Sequence, residues 1–210
     1  NYASNLSQKE NTYFCECSRK EIADSAMTGI DGMIYPGTCR NKKLDADHHA
    51  LRIKANDTVI TFEDKIQGSI HQNISKDFGD FILKRSDGIY AYQLAVVIDD
   101  ALQNINTIIR GADLIDSTSR QIYLQKNLSF PSMNYGHIPI ATLNQKKLSK
   151  ENQSTPVNDA NIKNNLIACL KFLGQDYELI EKENTLTNFW ATAIKLWDIS
   201  LVPKIKTIEI

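Results

Sequence analysis

Three cysteines and a tyrosine are the first residues in this chain whose spacing could do chemistry. Cys15 and Cys17 stand in CEC, and Cys39 returns in YPGTC behind a Pro-Gly turn. Side chains at i and i+2 point to one side of an extended segment, so a turn that brings back a third thiol builds most of a tetrahedral zinc shell. Spacing leaves the fourth ligand open: Tyr35, or His48 or His49 further on. Chemistry favours a histidine, because imidazole binds zinc as the neutral ring whereas a phenol must lose its proton. The plain alternative is three ordinary buried thiols. Cys169 stands alone in an apolar helical pattern and is expected as a small buried hydrophobe, so the cysteines form no disulfide framework.

A second candidate pair is Tyr92 and Arg110. Arg110 ends the run TIIR, and an arginine there offers a planar fork that grips a carboxylate through two parallel hydrogen bonds. A tyrosine hydroxyl could hold the other end of a small polar substrate. The competing reading pairs Arg110 with Asp113 or Asp116 in a surface ion pair and makes Tyr92 a half-buried core ring. Third, KKLSKE places Lys146, Lys147 and Lys150 around Ser149 with no helical or strand-like pattern. Like charges held together repel, which makes sense if a polyanion such as a nucleotide phosphate arrives there. A solvated charge run is the alternative.

The elements that must position these groups divide the chain. The opening residues read as the end of a helix and its exit loop. From Cys15 to about Gln67, ALRIKA and TVITF are short β-branched runs in a Gly- and Asp-rich region, expected as a small insertion domain. FILKRSDGIYAY carries apolar runs on either side of Asp87-Gly88, a hairpin signal. Thr107 to Arg110 reads as a short buried strand, followed by a helix over STSRQIYLQKNL capped by Asp116 or Ser117. Strand, turn and helix in that order predict an α/β fold with a parallel sheet, in which ligands gather at the strands' carboxyl ends, near Arg110. After Lys150 the period is helical. One stripe is Ile162, Leu166, Cys169, Leu170 and Leu173, stopped by Gly174; another is Leu186, Phe189, Trp190, Ala193 and Trp197. Both stripes are expected to be core.

The 210 residues, 42% hydrophobic and 23% charged, suffice for one sizeable core and an appended lobe. A formal net charge of −1 means that a nucleic-acid partner would be held by a local patch. No apolar run is long enough for a membrane span, and a cytoplasmic, monomeric protein is expected.

The blocks CECSRKEI, YPGTCR, GDFILKRSDGIYAYQLAVVIDDALQ, TIIRGADLI, STSRQIYLQ, YGHIPIATLNQKKLSKE and LIACLKFLG extend, in order, from about Tyr13 to Gly174. In type and sequence they resemble the glutamyl-queuosine tRNA(Asp) synthetases, relatives of glutamyl-tRNA synthetase within the class I aminoacyl-tRNA synthetases. The resemblance implies a Rossmann-type catalytic domain, here its second half, with a zinc-binding insertion and a C-terminal helical subdomain. Its segments would be 1–12 (end of the first Rossmann half), 13–77 (insertion), 78–150 (second half) and 151–210 (helical). It makes Cys15, Cys17, Tyr35 and Cys39 the structural zinc ligands, overturning the preference for histidine. It makes Tyr92 and Arg110 the glutamate-binding pair. The KMSKS-like loop becomes Lys147, Leu148, Ser149, Lys150 and Glu151, with Lys150 and Lys147 on ATP and His137 beside the nucleotide.

The implied activity is ATP- and Mg²⁺-dependent activation of glutamate and its transfer to the queuosine base of tRNA(Asp). A glutamyl-tRNA synthetase catalytic fragment charging tRNA(Glu) is the alternative, and a non-catalytic zinc-bearing RNA-binding module a third. The family's HIGH-type motif would lie before Asn1, so this chain alone is expected to be inactive.

Overall fold

Alternating apolar residues in TYFC, ALRI and FILK make strands, because aromatic and β-branched side chains at period two suit a half-buried pleated surface. The structure, a computed structural model, describes residues 2, 3, 6, 11–25, 27–30, 32–149 and 156–210. In chain order the elements are β1 (Thr12–Cys15), α1 (Arg19–Ser25), β2 (Met27–Gly29), β3 (Gly32–Ile34), β4 (Ala50–Ile53), β5 (Val59–Asp64), β6 (Gly68–Asn73), β7 (Phe81–Lys84), α2 (Tyr92–Leu102), β8 (Thr107–Gly111), α3 (Ile115–Leu128), β9 (Asn134–Ile138), β10 (Ile140–Leu143), β11 (Lys146–Lys147), α4 (Ile162–Phe172), α5 (Leu186–Leu196) and β12 (Thr207–Glu209). They form two packing units. The first holds Asn1–Glu63, Ser69–Ile108 and Leu114–Asn134, and the second Asp64–Gly68, Ile109–Asp113 and Tyr135–Ile210.

The first unit is built on the antiparallel sheet β1-β4-β7. Leu51 and Ile53 from β4, Phe81 and Leu83 from β7, Leu94 and Val97 from α2 and Tyr123 and Leu124 from α3 share one core. The expected exit loop is therefore strand β1, and ALRI joins the main core instead of a small separate one. The Asp87-Gly88 turn closes as expected: the Arg85 amide donates to the Ile89 carbonyl at 2.8 Å, and Lys84 bridges Tyr90. LAVVIDD becomes the body of α2. Helix α3 starts on Leu114 after a 3₁₀ turn and has no side-chain cap, so neither Asp116 nor Ser117 caps it. Its polar residues are tied inward instead: Ser119 donates to Gln72, and Gln72 donates to Asp116 at 2.6 Å.

In the second unit β10 pairs antiparallel with β11 and parallel with β12. Strand β12 was not expected; three residues are too few for a readable period. Asp64 at the end of β5 lies in parallel register with Tyr135 of β9. The sheets are thus mixed α/β, not the parallel sheet expected. Strand β8 is not buried either, with Ile109 54% exposed. The C-terminal helices pack through Ile167, Leu170, Ile180, Phe189 and Ala193. The apolar stripes are only partly core: Trp190 and Trp197 are about half exposed, and Cys169 is exposed, because α4 buries Ile167 and Leu170 and turns Cys169 away from that face. Gly174, at φ +69°, stops α4 as expected. No helix of the described residues is long and apolar enough to cross a membrane.

Candidate functional site

Strand β1 and the turn after β3 carry the cysteine cluster, within the first unit. The Sγ atoms of Cys15, Cys17 and Cys39 all lie within 4.8 Å of one another, with Cys17 to Cys39 at 3.5 Å. Around a tetrahedral zinc at about 2.3 Å, sulfurs would stand about 3.8 Å apart. The Tyr35 hydroxyl sits among them, 3.3 Å from Cys15 and 3.4 Å from Cys17, and accepts the Cys39 amide at 2.9 Å. Cys15, Tyr35 and Cys39 are buried.

Burial pushes the Cys17 thiol up to about 11, and burial followed by the surrounding thiols pushes Tyr35 well above its usual range. Burial acts upward on Cys39 too, but hydrogen bonds from the Tyr35 hydroxyl and the Glu16 amide outweigh it and leave that thiol below its usual range. Two of these four crowded groups, the Cys17 thiol and the Tyr35 hydroxyl, resist ionising, and a dication among them would reverse that balance. His48 is exposed beside Asp47, and His49 contacts the Asp45 carbonyl at 3.2 Å; neither joins the cluster, contrary to the preference from ligand chemistry alone. Behind the knuckle, Arg40 and Tyr13 both donate to the buried Asp80 carboxylate.

Tyr92 opens α2 in the same unit and is 52% exposed, so it is not the core ring of the competing reading. It borders a cavity of about 390 Å³ that is also lined by Met33, Arg52, Asp77, Phe78 and Arg120.

The second unit brings Arg110 and His137 together. Arg110 Nε donates to His137 Nε2 at 3.2 Å, and the guanidinium lies 5.9 Å from the Tyr135 ring centroid. The other imidazole nitrogen, Nδ1, meets Asp64 Oδ2 at 2.6 Å. Asp64 Oδ1 accepts the amides of Ile66, Gln67 and His137 at 3.0, 2.9 and 3.1 Å. Burial would raise the Asp64 carboxyl, but His137 and these amides outweigh it and hold it down at about 2. Gly136 lets β9 approach β8, since a Cβ there would stand 2.8 Å from Ile109 Cδ1. His137, expected beside the nucleotide, is fully buried and contacts the side chains of Asp64, Arg110 and the stacked Tyr135.

Asp113 does not stand idle beside Arg110: it takes Lys147 Nζ at 2.5 Å. The lysine stretch is not patternless, because Lys146 and Lys147 form β11. Leu148 continues the hairpin through its amide to the Ala141 carbonyl at 3.0 Å. Lys150 and Glu151 lie outside the described residues. Sequence reasoning missed Asp64 and Gln67. The signal was an acidic residue closing the strand TVITFED before a turn that ends in glycine.

Residues 1–174 match the family described as tRNA synthetases class I (E and Q), catalytic domain. The chain is 41% identical over 198 residues to the glutamyl-Q tRNA(Asp) synthetase of Pseudomonas syringae pv. tomato, an alignment covering 94% of this chain and 65% of that protein. It is 43% identical over 206 residues to the protein of that name from Dechloromonas aromatica, covering 95% and 67%. The chain thus spans about two thirds of the length of these curated relatives. Among solved structures, a glutamate-tRNA synthetase from Elizabethkingia anophelis superposes with a TM-score of 0.70 at 18% identity, over 99% of this chain and 50% of that one.

Proposed function

Because the chain belongs to the class I tRNA synthetases of the E and Q type, we propose that its protein is a glutamyl-Q tRNA(Asp) synthetase, which activates glutamate with ATP and transfers it to the queuosine base of tRNA(Asp). The observation that carries this reading is the identity of 41% and 43% to proteins of that name, across 94% and 95% of the chain. A glutamate-tRNA synthetase fold at 18% identity supports the architecture only.

On this reading residues 13–77 are a zinc-bearing insertion whose strand β4 packs into the main core, 78–150 the second Rossmann half and 151–210 a helical subdomain. Arg110 grips a carboxylate of glutamate, and the Tyr92 hydroxyl fixes another polar group of the same substrate. The glutamate carboxylate oxygen attacks the α-phosphorus of ATP, the bond to the bridging oxygen breaks, and pyrophosphate leaves. Lys147 and Lys150 stabilise the charge that builds on that leaving group, beside the Mg²⁺ that accompanies the nucleotide. A hydroxyl of the queuosine base then attacks the acyl carbon, AMP leaves with the bonding pair, and the hydroxyl proton passes to solvent. Zinc, held by Cys15, Cys17, Tyr35 and Cys39, supplies cross-linking of the insertion and no step of the reaction.

The test is transfer of labelled glutamate by the full-length protein, with ATP, to tRNA(Asp) with and without queuosine and to tRNA(Glu). Labelling confined to queuosine-bearing tRNA(Asp) is the expected outcome. Labelling of tRNA(Glu) would make the protein an ordinary glutamyl-tRNA synthetase.

A further inference from the structure

Arginine carries its Nε proton at every accessible pH. His137 Nε2, 3.2 Å from the nitrogen that carries that proton, must therefore be the acceptor, which places the ring proton on Nδ1, facing Asp64 Oδ2, with Nδ1 and Oδ2 2.6 Å apart. Asp64 can receive it only as a carboxylate, since its other oxygen is already taken by three backbone amides. All three side chains lie in the second unit, with Asp64 and His137 fully buried.

We infer that Asp64 and His137 are positioning residues that set the orientation of Arg110 through a fixed imidazole tautomer. A carboxylate that fixes a histidine, so that the histidine in turn aims a reactive group, is a general device for holding geometry to a fraction of an ångström. Here the group held is a guanidinium. Engaging its Nε edge sets the plane of the fork and hence the direction of the two terminal nitrogens. The Tyr135 ring limits the plane from a second side, stacked 11° from the imidazole and 5.9 Å from the guanidinium carbon. The backbone shares the arrangement: the Gln67 side-chain amide donates to the His137 carbonyl at 2.9 Å, so the turn after Asp64 grips β9 at the same residue.

Asp64→Asn separates this role from a structural one. The variant is isosteric, and its Oδ1 still accepts the three amides. Its NH₂ must then face His137 Nδ1, which becomes an acceptor, so the ring proton moves to Nε2 and opposes the Arg110 Nε–H. The consequence for substrate rests on the proposed role of Arg110 as glutamate's ligand. Two readouts keep the two apart.

The first is the ¹⁵N NMR spectrum of the histidine rings, with His137 assigned by its loss in a His137 variant. The parent is expected to show the Nδ1–H tautomer and Asp64→Asn the Nε2–H tautomer. An Nε2–H or doubly protonated ring in the parent would overturn the relay whatever the substrate is.

The second is glutamate-dependent pyrophosphate exchange by the full-length protein. KM for glutamate should rise about 10- to 100-fold in Asp64→Asn, with KM for ATP changed by no more than about twofold, as a misaimed binding group predicts. His137→Gln, whose amide reaches the Nε2 position, should retain glutamate affinity better than His137→Asn, whose amide reaches only Nδ1. A tautomer switch with unchanged KM for glutamate would leave the relay standing and overturn Arg110 as glutamate's ligand. Equal rises in both KM values would reduce Asp64 to a structural role and overturn the inference.

Discussion

Arg40 closes on Asp80 with two nitrogens, Nε at 2.6 Å and one terminal nitrogen on the other carboxylate oxygen, and so ties the turn that holds Cys39 to the start of β7. Asp80 also accepts the Tyr13 hydroxyl and the Ala55 amide, the latter at 2.7 Å, and its side chain is fully buried. Removing this acceptor strands a cation and two further donors. Asp80→Ala should cost about 3–5 kcal/mol of stability, measured by urea unfolding. A loss below about 1 kcal/mol would show that Arg40, whose side chain is 42% exposed, rehydrates and that the network adds little.

The same knuckle predicts one zinc per chain. Elemental analysis of purified protein should find it, and Cys39→Ser should lose it, while His48→Ala and His49→Ala should keep it. Chelation should lower the melting temperature, because an ion held there would cross-link β1 to the turn after β3 and its binding energy would be folding energy. Protein purified without chelator and free of zinc would refute the site.

Much of this knuckle was legible because its signal is local: three thiols and a Pro-Gly turn constrain one another within 25 residues, from Cys15 to Cys39. The same locality explains the Asp87-Gly88 turn and the Gly174 stop. What escaped was non-local. Whether β4 belongs to a small insertion or to the main core depends on Leu51 and Ile53 meeting Phe81 and Leu83, and no local pattern encodes that. Cys169 looked buried because helical period gives a stripe but not its centre, and the helix turned about Ile167 and Leu170 instead. The lysine stretch hid a hairpin, since two residues of β11 carry no alternation and owe their conformation to β10. Asp64 lay far from any motif, and only folding placed it against His137.

Acid stability should carry the signature of Asp64. Its carboxyl falls from an ordinary value of 3.8 to about 2 in the folded chain, because hydrogen bonds from His137 and three amides outweigh burial. A depressed folded value means that the unfolded chain binds the proton first. The contribution, about 2 kcal/mol by linkage, is complete above pH ~4 and is lost as pH falls toward ~2. Urea unfolding at successive pH values should therefore show the parent losing about 2 kcal/mol more than Asp64→Asn over that window. Parallel acid limbs would mean that the carboxyl is not depressed by folding.

Lys147 offers the sharpest separation of fold from function. Its pair with Asp113 is exposed on both sides, the side chains retaining 50% and 40% of their accessible surface, so Lys147→Ala should change stability by less than about 1 kcal/mol. If the proposed loop acts on the leaving pyrophosphate, the same substitution removes charge stabilisation worth about 2.7–4 kcal/mol, a fall of about 10²–10³ in adenylate formation. Lys150→Ala should behave likewise, slowing adenylate formation more than it weakens glutamate binding. Pyrophosphate exchange at varied ATP and glutamate, beside a thermal melt, decides the matter. A normal melt with exchange down by that factor places Lys147 on the reaction. Normal exchange with a lowered melt would make the Asp113 pair a clasp between β11 and the residues after β8, and would leave the phosphate charge to other groups.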